Sequence, residues 1–208
     1  MSAQPQPVPN SKFFATEEEY LAAERQAEFK HEYFGGEVVA MAGASDAHNL
    51  ITANLITTFN IALRDRDRTV RASDMRLQVS EAGTYTYPDV SVVCGSPEFR
   101  PDAHLDTLLN PSLLIEVNSK STEKKDRGSK FMFYRKIPSL QYYLLVASKA
   151  VEVVLYTRSE NEKWLLEVFT DPTSVVPLPL LNLELPLAEV YRKVSFPALE
   201  IESAETHV

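Results

Sequence analysis

Two hydrophobic periodicities alternate along the 208-residue chain, and their order predicts its organisation. After a proline- and glutamine-rich start, "ATEEEYLAAERQAEF" (15–29) reads as a short amphipathic helix with Thr16 in the N-cap position. "HEYFGGEVVAMAGA" (31–44) carries a Gly-Gly turn and then an apolar strand. Ser45 caps a longer helix, "DAHNLITANLITTFNIALRD" (46–65), in which Ile51, Leu55, Phe59 and Leu63 recur at every fourth position and share one face. The period then falls to two. "TVRASDMRLQV" (69–79) and "TYTYPDVSVVCG" (84–95) are predicted to be the strands of a hairpin turning at Glu81-Ala82-Gly83.

A polar loop from Ser96 to Asn110 leads to the strand "SLLIEV" (112–117) and then to a lysine-rich helix. That helix stops before Pro138, because the residue preceding a proline is pushed out of helical geometry. "LQYYLLVAS", "AVEVVLYTRS" and "EKWLLEVFT" follow as strands, the last two flanking a turn at Ser159 to Asn161. The leucines and prolines after Val175 predict a segment docked on the body. The core order is helix, three strands, helix, strand, with a β-rich C-terminal extension and neither a repeat nor a linker. An α+β fold follows, as one domain over residues 11–195 between a disordered tail (1–10) and an acidic tail (196–208).

Hydrophobic content of 44% places the chain among globular rather than disordered sequences. The single cysteine, Cys94, excludes an internal disulfide framework and a cysteine-rich metal site. In an apolar run it is expected to be a buried small hydrophobe, in keeping with a cytoplasmic protein. The N-terminus lacks the pattern of a secretory signal, and no apolar run reaches the ~20 residues that a membrane-spanning helix needs. The net charge of −8 argues against tight non-specific binding to a polyanion. Charge is unevenly spread, however. Seven basic residues against two acidic ones between Lys120 and Lys136 make that segment +5 and leave −13 on the remainder.

Chemistry enters at two acids. Along "SLLIEVN" the side chains of Ser112, Leu114, Glu116 and Asn118 share one face, and those of Leu113, Ile115 and Val117 the other. Asp89 follows Pro88 at the head of a second apolar strand, with Val90 and Val92 on the opposite face. An ionised carboxylate in such a run must lie at a strand end, be paired, or hold a cation. One such acid alone is best read as a salt bridge or a turn cap. Two on neighbouring strands, followed by a lysine-bearing helix, point to a hard oxygen site suited to Mg²⁺ or Mn²⁺. A cation held there lowers the pKa of bound water and stabilises charge on a phosphate oxygen. Asp126, Lys130 and Tyr134, spaced by four, lie along one helix face, and Lys130 is either a surface partner of Asp126 or a charge aimed at the acids.

"YPDVSVV" followed by "LLIEVNSKSTEKKDRGSKFMFYRK" resembles the Uma2 (DUF820) endonuclease family of the PD-(D/E)XK nuclease superfamily. The resemblance spans roughly Thr16 to Thr170 and is carried by E-V-x-S-x-S-T with a later D-x-x-x-K-x-x-x-Y. It implies a restriction-endonuclease-like mixed sheet flanked by helices. It also implies Mg²⁺-dependent (or Mn²⁺-dependent) hydrolysis of DNA phosphodiesters, with the metal on Asp89, Glu116 and the Val117 carbonyl. Glu37 matches a further acid of the family. The superfamily pattern has lysine two residues after the second acid, where this chain has Asn118, an amide that can hydrogen-bond but carries no charge. Lys130 is then the candidate for a catalytic lysine displaced to the helix, with Lys120 next.

Substrate contacts are expected from His48, Lys120, Ser121 and Tyr134, though a histidine in a first helical turn is as readily a surface residue. Ser119, Ser121 and Thr122 are expected to cap the basic helix. Arg76 is either a phosphate contact or an exposed strand residue. Pro101-Asp102 repeats the dipeptide in a polar loop without a strand around it and is given no role. The alternative to a nuclease is an inactive nuclease-fold protein that binds nucleic acid or a protein partner, having lost hydrolysis with the lysine at position 118. A homodimer would suit an enzyme with one site per chain that cuts both strands.

Overall fold

Helix spacing at Ile51, Leu55, Phe59 and Leu63 does what its period requires: all four side chains are buried on one face. The computed structural model describes residues 13–79, 83–118 and 130–196. The chain runs β1 (Phe13–Phe14), α1 (Glu17–Glu24), β2 (His31–Phe34), β3 (Glu37–Ala40), α2 (Asp46–Leu63), β4 (Arg68–Ala72), β5 (Arg76–Val79), β6 (Thr84–Thr86) and β7 (Val90–Cys94). Next come β8 (Thr107–Leu108), β9 (Leu113–Asn118), α3 (Phe131–Tyr134), β10 (Tyr142–Ala147), β11 (Val153–Arg158) and β12 (Trp164–Phe169). The chain closes with β13 (Val175–Leu178), β14 (Leu183–Pro186) and α4 (Leu187–Val190).

The fold is α+β with mixed sheets. The central sheet has the order β12-β11-β10-β9-β7-β4, with β9 and β10 parallel and its other neighbours antiparallel. A second sheet has the order β1-β3-β2-β6-β5-β8. On one face of the central sheet, Val90, Val92, Leu113, Ile115 and Val117 pack against α2 and the β13–β14 hairpin. On the other, Leu114, Tyr143 and Leu145 pack with α3 and with Leu77 and Leu108 of the second sheet. The gap between the two sheets therefore receives the even-numbered side chains of β9.

Caps start the two long helices as the sequence predicts. Thr16 accepts from Glu19 N while the Glu19 carboxylate accepts from Thr16 N, a reciprocal capping box, and Ser45 accepts from His48 N. The "HEYF" stretch, not foreseen as a strand, is β2. It pairs with β3 across Gly35 and Gly36, whose φ values of +56° and +108° suit glycine.

Several expectations need correction. "TVRASDMRLQV" breaks at Ser73–Met75 into β4 and β5, which enter different sheets, and "TYTYPDVSVVCG" breaks likewise at Tyr87–Asp89. Pro88 has no N–H to give a ladder, so the chain can pass between sheets there. The predicted hairpin is therefore two pairings, β5 with β6 and β4 with β7. The loop at 96–110 contains β8, whose two residues are buried. Cys94 is exposed, because it ends β7 beyond the buried run. The segment after Val175 does dock: Val176, Leu178, Leu185 and Leu187 join the α2 core. Both predicted tails fall on residues outside the described ones, save Phe196. Among the described residues no helix is long and apolar enough to cross a membrane.

Arg76 is neither exposed nor in a position to meet a phosphate. It is 3% exposed; its Nε donates to Thr107 Oγ1 (3.0 Å) and its terminal nitrogens reach Tyr87 OH (3.3 Å) and Asp106 (2.8 Å). Asp106 also accepts from Arg25 (2.9 Å), which in turn meets Asp102 (2.7 Å). Pro101-Asp102 thus has a structural role. Burial alone would raise the Asp106 pKa, but hydrogen bonds from Arg25 and Thr107 and the Arg76 charge outweigh it and hold the carboxyl well below its usual range.

Two outcomes follow. Phe59→Ala should lose about 3–5 kcal/mol in urea unfolding, because the ring is fully buried between α2 and the central sheet. The Asp106 carboxyl is depressed in the folded state, so its stabilisation is present above the unfolded carboxylate pKa of about 3.9 and lost as pH falls. Urea unfolding between about pH 5 and pH 2 should therefore show a shallower loss of stability for Asp106→Asn than for the unmodified chain.

Candidate active site

The cleft begins where a ladder ends. The β7–β9 pairing runs to Val90 opposite Ile115, and continuing that register by one residue sets Asp89 opposite Glu116. β7 supplies no backbone partner beyond Val90, and Asp89 Oδ2 instead accepts from Val117 N (2.7 Å). Asn118 O faces β10, where it accepts from Ser148 N (2.9 Å). The N–H and C=O of one strand residue point to the same neighbour and alternate along the strand, so the Val117 carbonyl is directed to the Asp89 side. Asp89 Oδ1 lies 3.2 Å from His48 Nε2, carried by the first turn of α2. Ser45 fixes that turn, and the turn aims His48.

Glu116 is 5% exposed, on the face of β9 that looks into the gap between the sheets. Its Oε1 accepts from Lys130 Nζ (2.9 Å) and from Tyr134 OH (2.7 Å). Four residues separate that lysine and tyrosine, which places both on one side of the turn that leads into α3. Lys130 is itself 5% exposed, so it is a buried charge rather than a surface one. Its Nζ also lies 2.8 Å from Glu32 Oε1, on β2 of the other sheet. Tyr134 OH meets Thr86 Oγ1 (3.0 Å) on β6. Burial raises the Tyr134 pKa well above its usual value, and the Glu116 and Glu32 charges raise it further. The phenol is therefore a neutral donor to the carboxylate.

The structure thus pairs Asp89 with His48 and Val117 N, and joins Glu116 to Lys130 and Tyr134 on the next strand. Asn118 is buried on the Glu116 face. Glu37 lies on the same face of the β2–β3 hairpin as Glu32 but two residues nearer the turn, opposite Phe34. Lys120 and Ser121 lie outside the described residues, as do Ser119, Thr122 and Asp126. Sequence reasoning missed Glu32 and Thr86. An acid between His31 and two aromatic residues was a visible signal in "HEYF", hidden because the strand itself was overlooked. Thr86 had no comparable signal.

A hard divalent cation suits the oxygen donors of this site. Asp89 and Glu116 offer carboxylate oxygens at the end of the β7–β9 ladder, and the Val117 carbonyl is directed to the Asp89 side. No three His, Cys, Asp or Glu side chains converge as a complete ligand set among the described residues. Mg²⁺ is held through one or two carboxylates and keeps waters or phosphate oxygens as its other ligands.

Residues 17–188 match the family model Uma2, described as "Putative restriction endonuclease". Two proteins of the cyanobacterium Synechocystis sp. are similar to the chain. Sll1609 is 41% identical over 151 residues, covering 73% of this chain and 85% of its own. Slr1290 is 38% identical over 179 residues, covering 86% and 92%. Both are described as uncharacterized. Among solved structures, a protein from Anabaena variabilis described as a "putative nuclease belonging to DUF820" superposes with a TM-score of 0.69 at 20% identity. The match covers 85% of this chain and 97% of that one, and establishes a shared fold.

Removing the ammonium leaves two carboxylates in a dry gap without their shared partner. Lys130→Met should cost about 3–5 kcal/mol in urea unfolding at neutral pH.

Proposed function

The chain belongs to the Uma2 family, and from that premise we propose that it is a Mg²⁺-dependent endonuclease hydrolysing DNA phosphodiesters at the Asp89–Glu116 cleft. The observation that carries the reading is the position of Lys130 Nζ, 2.9 Å from Glu116. It supplies from the helix the positive charge that Asn118 cannot. The alternative of an inactive descendant draws on Asn118 and on the acidic net charge, and a lysine at Glu116 weakens the first of these.

Asp89, Glu116 and the Val117 carbonyl would hold the cation, which when bound supplies an acidified water and stabilises charge on a phosphate oxygen. The residues of the chain do the rest. Val117 N–H and His48 hold the Asp89 carboxylate in one orientation. Tyr134 donates to Glu116 and fixes it in the same way, with Thr86 as the phenol's second contact. Lys130, tethered between Glu32 and Glu116, stands ready to orient the attacking water or to offset charge developing on the phosphate. Asn118, on the same face, is placed to hydrogen-bond water or phosphate.

The test is plasmid nicking in Mg²⁺ and in Mn²⁺ with variants that keep the shape of the site. Asp89→Asn still accepts from Val117, and Glu116→Gln still accepts from Lys130 and Tyr134. Each should lower nicking at least about hundredfold while leaving circular dichroism and thermal unfolding near the unmodified chain. Nicking that survives both changes would remove the assignment.

A further inference from the structure

The central sheet has two edges, and they are built differently. At one end β4 carries Arg68 and Arg71, charges of the kind that discourage edge-to-edge pairing. At the other end lies β12, six residues long with the sequence WLLEVF, with no strand on its outer side among the described residues. It has no proline and a single charge. Leu165 is 57% exposed, Leu166 50% and Val168 52%, so apolar side chains stand in solvent on both faces of one edge strand. Exposed Met132 continues the patch from Trp164, with which it shares a groove. The edge strands of the second sheet, β1 and β8, have two residues each and offer no such template.

Backbone direction along β12 can be read from the turn before it. Lys163 O accepts from Ser159 N (2.8 Å), so Lys163, Leu165 and Glu167 face β11. Trp164, Leu166 and Val168 accordingly direct their N–H and C=O groups outward. An antiparallel two-fold pairing of β12 with itself must set outward residues opposite outward residues, which limits the register. Centring it on Leu166 puts Lys163 opposite Phe169 and Glu167 opposite Leu165. Centring it on Leu165 puts Lys163 opposite Glu167 of the second copy, twice by symmetry, and Trp164 opposite Leu166. Only the latter of these two registers pairs unlike charges and sets apolar residues against apolar ones.

We propose that β12 is a homodimer interface, in which two copies of the chain pair antiparallel through this strand with Leu165 on the two-fold axis, joining their central sheets into one. The two-fold relation is isologous and closed, so assembly stops at two copies. The interface lies on the opposite side of β10 and β11 from the β7–β9 cleft, so pairing leaves that cleft open.

Sedimentation velocity of the full chain over a concentration series tests this. The unmodified chain should form dimers. Leu166→Lys, which adds a charge to an outward-facing, half-exposed position, should be monomeric with an unchanged thermal unfolding curve. Lys163→Glu and Glu167→Lys should each weaken the dimer by roughly fivefold or more, because two attractive pairs become repulsive, and the double exchange should restore it. A chain monomeric throughout the series would overturn the proposal and leave the edge for the strand of a different protein. A dimer insensitive to Leu166→Lys, or to both single charge changes, would place the contact elsewhere and overturn it equally.

Discussion

Lys130 carries a positive charge into a gap where carboxylates from two sheets would otherwise face each other. Its Nζ lies within 3 Å of Glu116 on the central sheet and of Glu32 on the second. A buried ammonium with carboxylates on both sides is costly to remove from either direction: without the lysine the acids repel, and without the acids the lysine has no compensation. The two sheets are therefore held in relation by the same group that gives the cleft its electrostatic character. Tyr134, four residues on, adds a neutral donor to the same oxygen, so the carboxylate has little freedom to turn away.

The other half of the cleft comes from an interrupted ladder. Pro88 ends β-pairing on one side of the chain's passage between sheets, and the next residue fills the gap with a side chain. Asp89 thereby takes over a backbone acceptor's place against Val117, which fixes it at the edge of a buried strand without the isolation that would make a carboxylate prohibitive there. The same interruption leaves the Val117 carbonyl on the Asp89 side. The local strand geometry thus sets Asp89 and Glu116 on adjacent strands at the end of the ladder.

Much of this was legible from spacing. The α2 stripe, the two helix caps, the alternation that put Glu116 inward and the four-residue step from Lys130 to Tyr134 are local properties, and local properties survive folding. What the sequence hid was long-range. Nothing in "TVRASDMRLQV" announces that its halves join different sheets, because a strand that changes sheet keeps the same period. Arg76 read as either a phosphate contact or an exposed strand residue, since its partners Thr107 and Asp106 lie some thirty positions away. Glu32 was missed for a related reason: "HEYF" is too short to show a period, and it becomes a strand by pairing with β3 and β6. Cys94 was misplaced by one step, since the buried run of β7 stops at Val93.

The proposed function requires Asp89 and Glu116 to hold a divalent cation. Calorimetric titration of Mn²⁺ into the unmodified chain and into Asp89→Asn addresses it without reference to any substrate. The account predicts saturable binding of Mn²⁺ that the substitution abolishes or weakens severely while the fold stays intact. Absence of binding to the unmodified chain, or equal binding to both, would contradict it.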